Sequence, residues 1–241
     1  MLKKKFFQII FNKLFNRLGL VISVFYFFFL IKKNNFISKE KEFFIIKNLI
    51  KKNSNVIDVG ANVGRYTFEL AKIVGPQGCV YSFEPMPRSS LILTFLIFLS
   101  NVKNIIFFSI ALGNKTEKIL MKESYTYKNE NFLFDTNTQS QIIKKKNRFK
   151  NNLFRYSLKI DDLHIKDKIS FIKIDTENYE YQVLIGAKKL IIKNRPIILI
   201  ENNSDKAIRF LKNLKYTEKK LFNNSRNKIF YFENSQQNKK N

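Results

Sequence analysis

The stretch Phe171–Glu180, FIKIDTENYE, closes an apolar run with three carboxylates, Asp175, Glu177 and Glu180. Acids are scarce here, 19 Asp+Glu against 44 Lys+Arg, so three within six residues call for a use. A carboxylate at the end of a strand can orient a hydroxyl and take its proton as charge develops on oxygen. Asp175 and Glu177 are the catalytic candidates on that ground, with bracing of the turn as the second reading of Glu177. Together with Glu201 they could offer hard oxygens to a divalent cation, but no full ligand set is visible and no metal is expected. Glu180 falls in the first turn of the next helix, where an acid complements the helix dipole.

A second cluster, Asp58-Val59-Gly60-Ala61-Asn62-Val63-Gly64, lies where an apolar run gives way to helical spacing. In an open α/β sheet such strand-to-helix turns carry the ligand. Gly60 permits a tight turn, Gly64 permits close helix packing, and Asn62 tolerates a left-handed backbone. The spacing is not G-x-G-x-x-G, and a carboxylate at Asp58 would repel a pyrophosphate. It would attract a cofactor with a cationic end, and S-adenosyl-L-methionine (SAM) carries an ammonium and a sulfonium. Glu84, at the end of the next apolar run, is placed to accept hydrogen bonds from both ribose hydroxyls. NAD sites use the same device, so it is Asp58 that favours SAM.

The elements that must position these residues alternate. NVIDVG, CVYSFEP, NIIFFSIALG, SFIKID and PIILIEN read as strands. ANVGRYTFELAKIVG, PRSSLILTFLIFLS, YEYQVLIGAKKLIIK and SDKAIRFLKNLKY read as helices, with Pro87 near the start of the second and Ser204 as N-cap of the last. Ser38–Lys52 has helical spacing of Phe43, Ile46, Leu49 and Ile50. KKLFNNSRNKIFYFEN reads as a hairpin. Apolar strands alternating with helices imply a doubly wound, mostly parallel α/β sheet covered on both faces. Residues 122–155 are polar and aperiodic, either a mobile insertion or irregular strands over the site. Residues 235–241 read as a disordered tail, leaving 36–234 as the main domain.

In order, VIDVGANVGRYT, YSFEP, ALG, FIKIDTENYEYQVLIGA and RPIILIE resemble the FkbM family of class I SAM-dependent methyltransferases, mostly O-methyltransferases of sugars, glycans or secondary metabolites. The resemblance runs from about Asn55 to Glu201, with a weaker stretch at SLKIDDL. It implies a seven-stranded Rossmann-like sheet, Gly60, Asn62 and Gly64 at the methionine end of SAM, Glu84 at the ribose, and Ala111 and Leu112 near the adenine. The family has D-x-E-G where this chain has Asp175-Thr176-Glu177-Asn178, and Asn is the next most tolerant residue for the positive φ that a glycine there implies.

The formal net charge of +25 fits nucleic acid or an anionic membrane surface. Lys far outnumbers Arg, whereas base and phosphate recognition favours the Arg fork. Nucleic acid is therefore a disfavoured partner, kept as an alternative: an RNA methyltransferase using the basic surface. A non-catalytic, membrane-associated module of the same fold is the other alternative. Residues 1–35 set basic flanks around apolar blocks. The uninterrupted apolar run Leu18–Ile31 is shorter than a spanning helix needs, and no small-residue cleavage site follows the basic start. A helix lying on an anionic membrane face, or packed on the domain or a second copy, fits better. The lone Cys79 excludes an internal disulfide and suits a cytoplasmic setting. His164, in a polar stretch, reads as a surface residue, Arg195 as a strand start or an anion contact, and Lys144–Lys146 as a solvated loop.

Overall fold

The computed structural model describes residues 18–38, 40–122, 141–142, 152–201, 204–219, 222 and 227–233. In chain order the elements are α1 (residues 18–32), α2 (Lys41–Ile46), β1 (Asn55–Val59), α3 (Arg65–Val74), β2 (Cys79–Phe83), α4 (Pro87–Ser100), β3 (Ile105–Phe108), β4 (Ala111–Leu112), β5 (Glu117–Lys122), β6 (Gln141–Ile142), β7 (Asn152–Leu158), a 3-10 turn (Ile160–Leu163), β8 (Ile169–Ile174), α5 (Glu180–Gly186), α6 (Lys188–Asn194), β9 (Ile197–Glu201), α7 (Asp205–Asn213), β10 (Tyr216–Lys219) and β11 (Asn227–Phe232).

Seven strands form one sheet in the order β10-β11-β9-β8-β1-β2-β3. The five from β9 to β3 run parallel, and β11 is antiparallel to both its neighbours. Alternation along each strand assigns the faces. Val56, Val80, Phe171, Leu199 and Ile229 pack with α1–α4. Ile57, Val59, Ile172, Ile174, Ile198 and Phe230 pack with α5–α7. Burial on both faces is why these strands are almost wholly apolar. α1 belongs to the first layer: Val24 and Phe27 are buried in the same cluster as Phe36 and Phe68.

Several boundaries differ from the sequence expectations. The run Asn104–Gly113 is not one strand: β3 stays in the main sheet, whereas β4 pairs with β7 in a second sheet of order β4-β7-β5-β6. β5 and β7 border most of the polar stretch 122–155, and residues 123–140 and 143–151 lie outside the described residues, as do Lys144–Lys146 and the tail 235–241. Ser38–Lys52 is helical only over α2. The expected single helix after Tyr179 is two, because Asp161 accepts from the backbone N–H of Lys189 and Leu190, both at 2.9 Å, and so starts a new helix there. Pro87 opens α4 as expected. Ser204 stands at the N-cap of α7 without a side-chain capping bond.

Candidate active site

The carboxyl ends of β1, β2 and β8 open into a cleft of about 720 Å³, its mouth included. Phe83, Met86, Ile110, Ala111, Leu112 and Met121 give it an apolar wall. The second sheet supplies Met121 and Leu112, and Ile119 closes behind them. Glu84, Asp175 and Glu177 give it acids, and among the described residues no Lys or Arg lines it. Gly60 makes the floor possible. It has φ +77°, and a Cβ there would lie 1.8 Å from the backbone oxygen of Asp175, so the first turn and the end of β8 touch through bare backbone.

Glu84 is buried and takes the backbone N–H of Asn62 on Oε2 and that of Met86 on Oε1, both at 2.8 Å. Burial raises its carboxyl to about 7 against the pull of those two donors. Each oxygen keeps a further lone pair toward the cleft. An adenine-sized apolar wall, a carboxylate able to accept from a diol, and acids at the far end suit SAM. Glu84 would hold the ribose, Ala111 and Leu112 the adenine, and Gly60 and Asn62, with Asp175 beyond them, the cationic end.

On the α1–α4 face, polar groups replace apolar ones at the top of the sheet. Asp58 is registered with Ser82 on one side and Lys173 on the other. Thr67 donates to Asp58 at 2.6 Å and lies 3.0 Å from Ser82 Oγ. Lys173 is 4% exposed, one residue before the end of a mostly apolar strand. Its ammonium donates to Asp175 Oδ2 at 3.0 Å, lies 3.8 Å from Asp58 Oδ1, and sits 4.8 Å from the Tyr66 ring centroid. Burial alone would drive that ammonium neutral, but the two carboxylates outweigh it and raise its pKa. In turn, burial pushes Asp175 up, but Lys173 and a hydrogen bond from Glu201 hold it below the usual carboxylate range.

The turn after Asp175 is left-handed twice, at Glu177 (φ +50°) and Asn178 (φ +77°). Glu180 holds it. Its Oε1 accepts from the backbone N–H of Thr176 at 3.2 Å and of Asn178 at 3.1 Å, and from the Thr176 hydroxyl at 3.3 Å. Glu180 is fully buried, and burial raises its carboxyl.

The FkbM methyltransferase domain profile matches residues 58–223, about two thirds of the chain. The chain belongs to the FkbM methyltransferase family. Its fold is that of the FkbM methyltransferase from Methylobacillus flagellatus KT, with 17% identity and a TM-score of 0.54 over 76% of this chain and 45% of that one. The chain thus spans less than half the length of that relative. A SAM-dependent methyltransferase from Aquifex aeolicus aligns at 12% identity and TM-score 0.45, over 79% and 87% of the two chains. A fibrillarin from Aeropyrum pernix, with natively bound SAM, aligns at 12% and 0.44, over 78% and 71%. No curated protein matches the chain. The class I fold and SAM as cofactor follow from the FkbM family.

Of the residues singled out by sequence, Gly60, Asn62, Glu84, Ala111, Leu112, Asp175 and Glu177 meet at the cleft, and Asp58 and Gly64 do not. Asp58, one residue short of the end of β1, is fully buried below the cleft against Thr67, Ser82 and Lys173, whereas Asp175, beyond the end of β8, reaches the cleft beside Glu84 and Glu177. Gly64 starts α3 at φ +95°, and a Cβ there would lie 2.5 Å from Leu93 Cδ1, so it serves the contact between α3 and α4. His164 is exposed and bonds the Asp162 carbonyl. Arg195 stacks over Phe232 at 4.3 Å. Among the described residues, no group of three His, Cys, Asp or Glu side chains is arranged to hold a metal. Sequence reading passed over Lys173. The signal was present: a buried charge must be paired, and a lysine two residues before Asp175 shares its face.

Proposed function

We propose that this FkbM-family chain is a SAM-dependent O-methyltransferase whose acceptor is a hydroxyl on a sugar, glycan or related metabolite. One observation carries the reading: Asp175 faces the cleft as a carboxylate fixed by the buried Lys173 at 3.0 Å. Bound SAM supplies an electrophilic methyl group. Asp175 orients the acceptor hydroxyl and takes its proton, which becomes strongly acidic as the new O–C bond forms. Glu84 and the Gly60 turn fix the position on which in-line transfer depends. Three acids, and no Lys or Arg among the described lining residues, favour an uncharged acceptor over a phosphate-rich one.

The test is release of S-adenosylhomocysteine with hydroxyl acceptors and with RNA, at low and moderate salt. Asp175→Asn is expected to lower turnover about 100-fold or more with SAM affinity retained. Unchanged turnover would refute the role of Asp175. An RNA-only activity that collapses with salt would establish the RNA alternative. A folded protein that binds no SAM would leave only the non-catalytic module.

The outer face of α1 supports a membrane-surface setting for that acceptor. Leu18, Val21, Phe25 and Phe29 form an exposed stripe, with Phe25 61% exposed. Lys32 and Lys33 sit at its end, 5.3 and 5.6 Å from the Phe28 and Phe29 rings. Among the described residues no helix is long and apolar enough to cross a membrane. An interfacial helix inserts its apolar side while lysines meet anionic headgroups. Co-sedimentation with phosphatidylserine vesicles, lost in the Phe25→Glu/Phe29→Glu double variant, is the expected result, and equal behaviour of the two proteins would exclude it.

A further inference from the structure

Asp175 does not stand alone at the end of β8. Ile174 is registered with Val59 on one side and Ile200 on the other, so one residue further along Asp175 lies between Gly60 and Glu201. Glu201, registered with Asn227 of β11, lies on the same face as Leu199 and, across the strands, as Lys173 and Asp175. The register thus sets the Glu201 and Asp175 carboxyl groups side by side at adjacent strand ends, where each acts on the other: Glu201 lowers Asp175, and Asp175 raises Glu201. Two carboxyl groups so placed can hydrogen-bond to each other only if one carries a proton.

The surrounding charges say which carboxyl it is. Lys173 is the one ammonium among the described groups of this cluster, and it bonds Asp175 directly and pairs with Asp58. Glu40, in the link before α2, adds a further carboxyl nearby, and its Oε2 takes hydrogen bonds from Tyr66 and from Asn227 Nδ2, the latter at 3.2 Å. Four carboxyl groups around one buried ammonium cannot all be ionised. Asp175 has the ammonium at hydrogen-bond distance and Glu201 does not. Burial and then the neighbouring Asp175 raise Glu201 to about 8. Burial raises Asp58 as well, but Lys173 and a hydrogen bond from Thr67 at 2.6 Å pull it back down, and Asp175 acts on it only through charge.

We infer that Glu201 is a second proton-holding residue of the active centre, donating a hydrogen bond to Asp175 and forming with it and Lys173 a carboxyl pair that starts the reaction with a single proton. The inference rests on the role of Asp175 as proton acceptor. Before transfer, Glu201 is protonated and Asp175 is ionised, and the Glu201 hydrogen bond fixes which lone pairs of Asp175 stay open to the acceptor hydroxyl. On transfer, the acceptor oxygen bonds to the methyl carbon and the carbon–sulfur bond breaks, its electron pair staying on sulfur. The hydroxyl proton passes to Asp175. The pair then holds two protons, and Glu201, half-exposed at the end of β9, is the member from which one returns to water. Above the pKa of Glu201 the pair becomes two adjacent carboxylates, Asp175 loses its donor, and turnover falls.

The test is kcat against pH at saturating SAM for the wild type, Glu201→Gln and Glu201→Leu, with SAM binding as the check on folding. The wild type is expected to lose turnover above about pH 8. Glu201→Gln keeps a donor but cannot titrate, so its alkaline limb should vanish. Glu201→Leu removes the donor and should lower kcat 10-fold or more at pH 7 with KM for SAM little changed. Asp58→Asn should keep the alkaline limb, because Glu201 still titrates. A Glu201→Gln profile with the wild-type alkaline limb, or a Glu201→Leu variant with wild-type kcat, would overturn the inference. If Glu201→Leu does not fold, the Glu201→Gln profile decides alone. Loss of activity in Asp175→Asn beside wild-type behaviour of the Glu201 variants would remove this inference and leave the proposed function standing. An active Asp175→Asn would remove the proposed function itself.

Discussion

Three glycines with positive φ form a graded experiment on close backbone contact, with Gly60 on the cleft floor. At Gly75 (φ +72°) an added methyl meets nothing within 4 Å. Gly75→Ala therefore loses only the backbone freedom that glycine has at φ +72°, ψ −177°, about 1–3 kcal/mol. At Gly64 the methyl lies 2.5 Å from Leu93 Cδ1, the end of a movable side chain. Overpacking of that kind adds about 1–2 kcal/mol to a left-handed backbone preference of about 1 kcal/mol, for a total of roughly 2–3. At Gly60 the obstacle is the backbone oxygen of Asp175 at 1.8 Å, which cannot move unless β8 moves against β1. Gly60→Ala should lose about 4 kcal/mol or more, among the larger single-site effects. Urea unfolding with a shared m-value measures all three. If Gly60→Ala remains folded, it should also lose turnover steeply, because the displaced group is Asp175. A Gly60→Ala variant within 1 kcal/mol of Gly75→Ala would refute the close contact of the first turn with the end of β8.

Three further outcomes are expected. Glu84, raised to about 7 by burial, is ionised only above that pH. SAM affinity should therefore rise up to about tenfold per unit as pH increases toward 7 and then level off, with proton release on binding. The ligand-free protein should lose this group's share of stability as pH rises through about 7, since a raised folded pKa favours the protonated state. Calorimetry across pH 6–8 in two buffers checks both, and Glu84→Gln should flatten the dependence. Asn178→Gly should raise stability by up to about 1 kcal/mol, because glycine adopts φ +77° without strain and keeps the backbone N–H to Glu180. Thermal unfolding would show this as a shift of a few degrees upward.

The sheet was legible because two-sided burial leaves a strong mark: NVIDV, CVYSF, ISFIKI and IILIE are almost uninterrupted apolar runs. The turn at Gly60 and the acid at Glu84 were legible because both depend on local geometry. What escaped was set by partners distant in sequence. Asp58 looked like a cofactor acid until the alternation of β1 turned it toward Thr67 and Lys173. The run 104–113 reads as one strand, yet β4 leaves the sheet to pair with β7, some 45 residues later. The break between α5 and α6 depends on Asp161, 28 residues before Lys189. Glu180 stands where a dipole acid would stand, but its oxygen turns back to close the Asp175–Asn178 turn.

The order of the strands carries a consequence for how the chain is made. β11 is synthesised after every other strand of the sheet, yet it lies inside, between β9 and β10. Until it emerges from the ribosome, β9 is an open edge whose sequence, IILIE, is an invitation to pair with another chain. The same late strand brings Asn227 to Glu40, a contact across 187 residues that joins the far end of the fold to the link before α2. The strands that build the cleft thus precede β11 in synthesis, and the open edge of β9 is covered only when β11 arrives.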